Sequence, residues 1–355
     1  MSQGIIKERF NNIDFFRFLF AIMIAMFHFK GISGDYAKMI PGIGHWHVCV
    51  DFFFIISGFF LFHSFKKDMP VFDFIKKRFF RLAPLIWLFL ILLAIFYFIS
   101  GQSVPFDYYI LRATLLSNIG FAPNTLNGNH WFIPVLFWVS IFYFYIGKTF
   151  EKKYLNLVVG LVTFFSLTVY LQWTHFNTGG YLGSMLFINK GVLRGLFGMG
   201  IGYFINELFN INFLKNCTKI SKIGISFCEI FCVGLLGYFL SINKLPGKSA
   251  FLYILIFAVI FFLFLRKQGF LSRILDRKIF VVLGSWAYAI YVIHPLIKDL
   301  FKYFIKNSHN SIIKHHSVEI MLLYLLCTII MGVLIYYLFE KPFNKFINEK
   351  LCSRS

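Results

Sequence analysis

The chain has 355 residues, of which 59% are hydrophobic and only 14% charged, and 51 are phenylalanine. Soluble domains carry about 25% charged residues, so a water-soluble globule is excluded: it has too little polar surface to hide such long apolar runs. The formal net charge of +20 comes from 35 Lys and Arg against 15 Asp and Glu. These cations sit in short loops between apolar runs, a pattern of loops facing cytoplasm and anionic lipid rather than of a nucleic-acid surface.

A membrane-spanning helix needs about 20 mainly apolar residues. In chain order the candidates are 13–29, 48–65, 82–100, 131–146, 154–173, 185–209, 222–241, 248–265, 279–297 and 318–340. The sixth is atypical, because Lys190 and Arg194 lie inside it. The expected fold is therefore all-α, a polytopic helical bundle of about ten spans. Outside the spans, 23 Lys and Arg fall on the N-terminal side and 9 on the other, which puts both termini in the cytoplasm.

The first apolar run is interrupted by Arg17 and lacks a small-residue cleavage site, so it reads as a permanent span rather than a cleaved signal. The six cysteines form no CxxC and fit packing better than zinc or disulfide chemistry. No internal repeat or long soluble insertion appears, so residues 1–355 read as one membrane domain whose chemistry must use groups within the bundle or at its faces.

Ionisable groups inside a bilayer are costly and therefore functional candidates. Arg17 and His28 are 11 residues apart. At 100° per residue they project from one helical face, about 16 Å apart along the axis. A snorkelling Arg and a packing His are the plain alternatives. His294 lies as deep in the ninth span as His28 does in the first, and His130 opens the fourth from the outer side. Three imidazoles thus gather toward the outer half. Arg17, Arg78, Arg81 and Glu340 fall near the cytoplasmic face. Arg78 and Arg81, one turn apart, can clamp phosphates from one side, although either alone also reads as a positive-inside anchor. Arg194 needs a carboxylate or a polar cavity, and the sequence assigns it no partner. Cations thus gather where a phosphorylated cytosolic donor enters, and imidazoles where an outer acceptor arrives. A neutral His there can take a proton from a sugar hydroxyl as it attacks a thioester.

In this order the residues resemble acyltransferase family 3, the integral-membrane O-acyltransferases of bacterial surface polysaccharides. Arg17 and His28 match its Arg-x10-His motif. Residues 47–61, with Ser57 and Gly58, resemble its FF-x-x-SGF segment, and Arg78, Arg81 and Pro84 its first cytoplasmic loop. His130, Trp131 and Phe132 resemble its HxWF-like element, and Arg194 with Gly198 and Gly200 its later Arg-and-Gly helix. Residues 284–295 resemble its GxxSYxIYLxH segment, and Glu340 with Pro342 its closing E-x-P. Ala287 departs from the usual Ser before Tyr288, and the loop 33–47, with His45 and His47, is less typical. The resemblance implies an acyl-CoA donor, usually acetyl-CoA, and transfer to a hydroxyl of a surface or lipid-linked glycan. It also implies the bacterial inner membrane as the location and no metal. His28 is then the base, with Arg17 and Glu340 also in the catalytic set. Arg17, Arg78 and Arg81 hold CoA, while His130, Trp131, Ser57, Arg194 and His294 line the acceptor side. An oligomer or a separate acceptor-side partner is compatible with a chain too short for a fused esterase-like domain.

Ten spans with intramembrane charges also suit a transporter or exporter of lipid-linked glycan, but no paired, Gly/Pro-broken short spans occur in matching halves. A glycan polymerase or ligase is expected to carry a large cationic outer loop; the longest here, 101–130, has Arg112 alone. Direct transfer from CoA to acceptor is expected, because no buried Cys or Ser has an evident base beside it.

Overall fold

A computed structural model describes residues 9–33, 40, 42–119, 130–176, 184–185, 188–211, 219–242, 250–307 and 317–352. Part of the 33–47 loop lies outside these residues. The helices are α1 (Asn11–Ser33), α2 (Cys49–His63), α3 (Val71–Ile99), α4 (Phe106–Ala113), α5 (Phe132–Thr149) and α6 (Lys152–Trp173), followed by α7 (Lys190–Asn210), α8 (Lys219–Ser241) and α9 (Ala250–Arg266). Then come α10 (Phe270–Ile274), α11 (Lys278–Asn307), α12 (Ser317–Ile335) and α13 (Lys341–Cys352), the last two joined by a π-helical turn, Tyr336–Glu340. A 3-10 turn, Ile43–Val48, leads into α2, and a two-residue hairpin, Ser184–Met185 with Ile188–Asn189, precedes α7.

Eight of the described helices are long and apolar enough to cross a membrane. Of the ten spans expected, those on α7 and α9 fall short of that measure. α9 has only 17 residues. α7 carries Lys190, Arg194 and Glu207 and spends much of its length on glycine. Those glycines have a packing reason. A Cβ on Gly202 would overlap the Ile55 carbonyl, and one on Gly58 would overlap the Met199 backbone. α2 and α7 therefore meet backbone to backbone, the close approach that small residues four apart (Gly198 and Gly202) permit in lipid.

Phenylalanine fills the centre. Phe52 of α2 meets Phe20 of α1 edge-to-face at 4.9 Å and Phe257 of α9 at 5.5 Å, and Phe16 meets Phe264 at 4.9 Å. Tilted ring pairs of this kind add about 0.5–1.5 kcal/mol each beyond area burial. α6 and α8 form the periphery, where Phe164, Phe165, Phe227 and Phe231 are exposed, as lipid-facing positions should be. Among the described residues, Cys49, Cys228, Cys232 and Cys327 are free thiols.

Three elements run differently from the expectation. α3 begins at Val71, so Arg78 and Arg81 sit on the helix itself rather than in a loop before it. α11 continues to Asn307, ten residues past the expected end of the ninth span. The loop 101–130 contains α4, which two indole N–H groups tether: Trp87 Nε1 donates to Ala113 O at 2.9 Å and Trp138 Nε1 to Leu115 O at 2.8 Å.

The α2–α7 contact yields a direct test. Gly202→Val should destabilise the protein by about 1–3 kcal/mol through overpacking and lower its melting midpoint in detergent. Gly160→Ala, whose nearest neighbour would be a Phe204 ring carbon at 3.6 Å, should leave that midpoint in place. Equal midpoints for both variants would remove the close contact.

Candidate functional site

The site is organised by α1 and α11, which lie side by side and parallel. Phe15 meets Phe280, a Cβ on Gly284 would overlap Asp14, Phe18 meets Trp286, and Ala21 packs with Ala287 and Ile290. Small residues at these crossings let the backbones approach. At the far end of this register His28 and His294 stack, ring centroids 5.1 Å apart and planes 24° apart. The matched depth expected of these two histidines therefore holds, and His28 faces α11 rather than lipid. His294 is fully buried, and neither of its ring nitrogens has a hydrogen-bond partner among the described residues. Leaving such a group unsatisfied costs about 1–3 kcal/mol. His28 is partly accessible and no described hydrogen bond engages it.

His130 is differently placed. Its contacts come from two other helices. Val292 O of α11 lies 2.8 Å from His130 Nε2, and Arg112 Nη1 of α4 lies 3.2 Å from His130 Nδ1. A carbonyl only accepts and a guanidinium only donates, so His130 is the neutral tautomer with its proton on Nε2. Both nitrogens are occupied. In this arrangement His130 joins the start of α5 to α4 and α11. Arg112 is buried, with its guanidinium 4.4 Å from the Tyr108 ring. In the sequence it stands out only as the lone cation of the 101–130 loop.

Arg194 and Trp131 lie together between α2 and α7. Arg194 Nε and Nη2 donate to the two Asp51 carboxylate oxygens at 2.8 and 3.0 Å, and its guanidinium lies 4.8 Å from the Trp131 ring. This fork joins α2 to α7 and supplies the carboxylate that Arg194 required. Ser57 is half-buried, one turn from Phe53, which packs with Ala21 and Ala287, so it lies on the face of α2 directed toward the α1–α11 pair.

The residues expected at the cytoplasmic end lie near one another. Arg17 Nη1 pairs with Asp14 at 2.7 Å, and Arg78 Nη2 donates to Ser140 Oγ at 2.9 Å, while Arg78 Nε is buried with no acceptor among the described residues. Arg81 is exposed, and its charge reaches Arg17, Arg78, Tyr288 and Glu340. Glu340 ends the π-turn, and its buried Oε2 has no partner among the described residues. π-turns recur at functional positions. Tyr288, whose hydroxyl donates to Leu82 O at 2.7 Å, joins this group, a role its place in the 284–295 segment signalled only indirectly.

Tyr288, Tyr291, His294 and Lys298 succeed one another along one face of α11, within about 120° of arc, and connect the two ends. Tyr291 and His294 rings are 5.6 Å apart. A cavity of about 410 Å³ lies elsewhere, between α1 and α8–α10, lined by Phe16, Phe20, Met23, Leu236 and Leu240. None of the expected site residues lines it.

The His130 junction has a pH signature. Burial, and then the adjacent Arg112, push His130 down to about 3, whereas an unfolded His takes a proton below about 6.5. Between those limits the unfolded state binds more protons. The stability contributed is thus complete above pH ~6.5 and is lost as pH falls toward ~3, at up to about 1.4 kcal/mol per pH unit. His130→Gln should flatten the fall in melting midpoint between pH ~7 and ~5; parallel curves for both proteins would contradict the junction.

A family model for an acyltransferase domain matches residues 10–341. No curated protein and no solved structure matches the chain.

Proposed function

The chain belongs to this acyltransferase family and is a membrane-embedded acyltransferase; on that premise we propose that it moves an acetyl group from acetyl-CoA to a hydroxyl of a surface or lipid-linked glycan, such as O-antigen, capsule or exopolysaccharide. The observation that carries this reading is the placement of the imidazole pair and the arginine cluster at opposite ends of one α1–α11 face. In this reading ten helices cross a bacterial inner membrane, α7 and α9 included, with both termini in the cytoplasm.

Arg17, Arg78 and Arg81 hold the phosphates of CoA at the cytoplasmic end. The buried Arg78 Nε and the exposed Arg81 guanidinium suit a polyanion that approaches from water. Glu340 orients this cluster through Arg17 and Arg81. At the other end His28 is the base. It removes the hydroxyl proton of the acceptor as that oxygen attacks the thioester carbonyl, and the proton passes to the departing thiolate. The acceptor gains an ester and CoA leaves as a free thiol, so atoms and charge balance without an acyl-enzyme. His294 packs against the His28 ring and fixes its plane, while Ser57 lines the interval between the two ends.

Removing a general base costs about 10²–10⁴-fold in rate. Strains carrying His28→Ala should therefore lose the acyl signals of their surface polysaccharide in proton NMR spectra, and unchanged acylation would remove His28 from the mechanism. Arg78→Ala or Arg81→Ala should raise KM for acetyl-CoA about 10- to 100-fold, the worth of one or two charge-assisted hydrogen bonds, with partial rescue at high donor concentration. Labelled acetyl-CoA given to the purified chain with acceptor also separates this reading from transport, because a transporter leaves the thioester intact.

A further inference from the structure

We infer that the apolar slot between α1 and α8 takes the hydrocarbon tail of a lipid-linked acceptor and so presents the attached glycan at His28. This rests on the acyltransferase reading and selects, from the acceptors it allows, the form carried on a lipid.

The slot is the cavity of about 410 Å³ lined by α1, α8, α9, α10 and the 3-10 turn before α2. Close-packed interiors hold few voids larger than a water molecule, so its size sets it apart. Its rims are two rows of residues, each spaced by one helical turn. Leu19 and Met23 of α1 form one and Val233 and Gly237 of α8 the other, all partly or fully exposed. Its floor is buried and includes Phe20, Leu236 and Phe264. A trough with rims along two helices opens sideways. α8 lies at the lipid-facing periphery, so the slot opens to hydrocarbon. Its lining from Phe15 to Met23 extends about 12 Å along α1, in the direction that the chains of a bilayer run.

The slot is held open at both ends. On the outer side Trp46 Nε1 donates to Leu240 O at 2.9 Å. On the inner side Glu229 Oε2 accepts from Ser272 N and Ser226 Oγ from Phe270 N, both at 3.1 Å. α8 is thus fastened to the 3-10 turn and to α10, with the slot between those fastenings. A Cβ on Gly237 would meet nothing within 4 Å. A tail that comes from lipid gains no hydrophobic free energy by entering, so its affinity comes from contact with the walls. A flexible chain passes between the rims, whereas a helix packs at about 8–10 Å between axes and would rest outside them.

The direction of the slot connects it to the site. Leu271 and Leu275 of α10 line its inner end, and Trp46 stands at its outer end. The next residue, His47, has its ring 5.1 Å from that of Phe27, which lies 5.0 Å from His28. His28 is also only five residues beyond Met23, about 7.5 Å further along α1. A tail that enters from the outer leaflet therefore leaves its head beside His28. This outlet favours an acceptor over a structural phospholipid, which needs no access to the base.

The test uses the full chain in detergent with saturating acetyl-CoA and two acceptors. One is lipid-linked glycan extracted from host cells that lack the chain; the other is the same glycan released from its lipid by mild acid. KM for the lipid-linked form should be at least about tenfold lower, because a held tail raises the effective concentration of the hydroxyl. Micellar partition adds to that difference in every variant, so the slot is read from what filling it removes. Gly237→Phe should raise KM for the lipid-linked form about tenfold, and Met23→Trp, from the opposite rim, should do the same if Gly237→Phe misfolds. Gly234→Phe, on the same helix with open space around it and outside the slot, should keep the original KM. The inference is overturned if the two acceptors have equal KM, or if neither filled variant differs from Gly234→Phe, in which case the slot holds only bulk lipid. It is also overturned if filling raises KM for the released glycan by the same factor. If the unmodified chain acylates neither acceptor, the acyltransferase reading fails instead.

Discussion

Hydrocarbon does not solvate charge, and that constraint governs where every ionisable side chain of this protein sits. A charge within the bilayer must meet an opposite charge, a carbonyl, or a ligand that supplies one. Asp51 and Arg194 satisfy each other with a two-bond fork beneath Trp131. Arg266 spends its Nη2 on the last carbonyls of α7, Leu208 and Phe209. His130 is consumed at both nitrogens. Glu229 accepts from Ser272 N, and among the described residues the α1–α11 face itself holds a guanidinium and carboxylate cluster near one end and the His28–His294 stack near the other.

The face exists because α1 and α11 touch closely over most of their length. Gly284 against Asp14 and Ala287 against Ala21 allow this. The same contact explains a departure noted in the sequence. Ala287 stands where relatives usually carry Ser, and it lies against α1 with 2% exposure. A small side chain is what the crossing demands, and alanine meets that demand without a hydroxyl to satisfy. The substitution therefore belongs to helix packing and leaves acceptor recognition to other residues.

Much of this arrangement was legible in the sequence, because it rests on local periodicity. The 11-residue interval puts Arg17 and His28 on one face, and equal depth in two outward-running spans puts His28 beside His294. Arg78 and Arg81 needed only one helical turn. What periodicity cannot carry is the choice of partner across the fold. Asp51 is 143 residues from Arg194, and Val292 is 162 from His130. Nothing in either local pattern names these partners, so the contacts of Arg194 and His130 within the fold could not be read from the sequence. Arg112 was missed for a related reason: its inward direction comes from two tryptophans on α3 and α5 that fasten α4. The shortfall of α7 as a span was visible in its charges and glycines, but its tight seat against α2 was not.

His28, His130 and His294 lie toward the same end of the bundle, and their surroundings suit them to different work. A base needs a nitrogen lone pair that a substrate proton can reach. At His130 that lone pair already accepts from Arg112. At His294 the ring is sealed from solvent, with one face against His28 and Tyr291 beside it. His28 alone of the three keeps partial access and has no hydrogen bond among the described residues to surrender first. Its ring plane is nevertheless fixed, because His294 lies behind it and Phe27 beside it at 5.0 Å. A base held in orientation by ring contacts loses no hydrogen bond when it accepts a proton. In the proposed reaction α11 is thus the support and α1 the working surface.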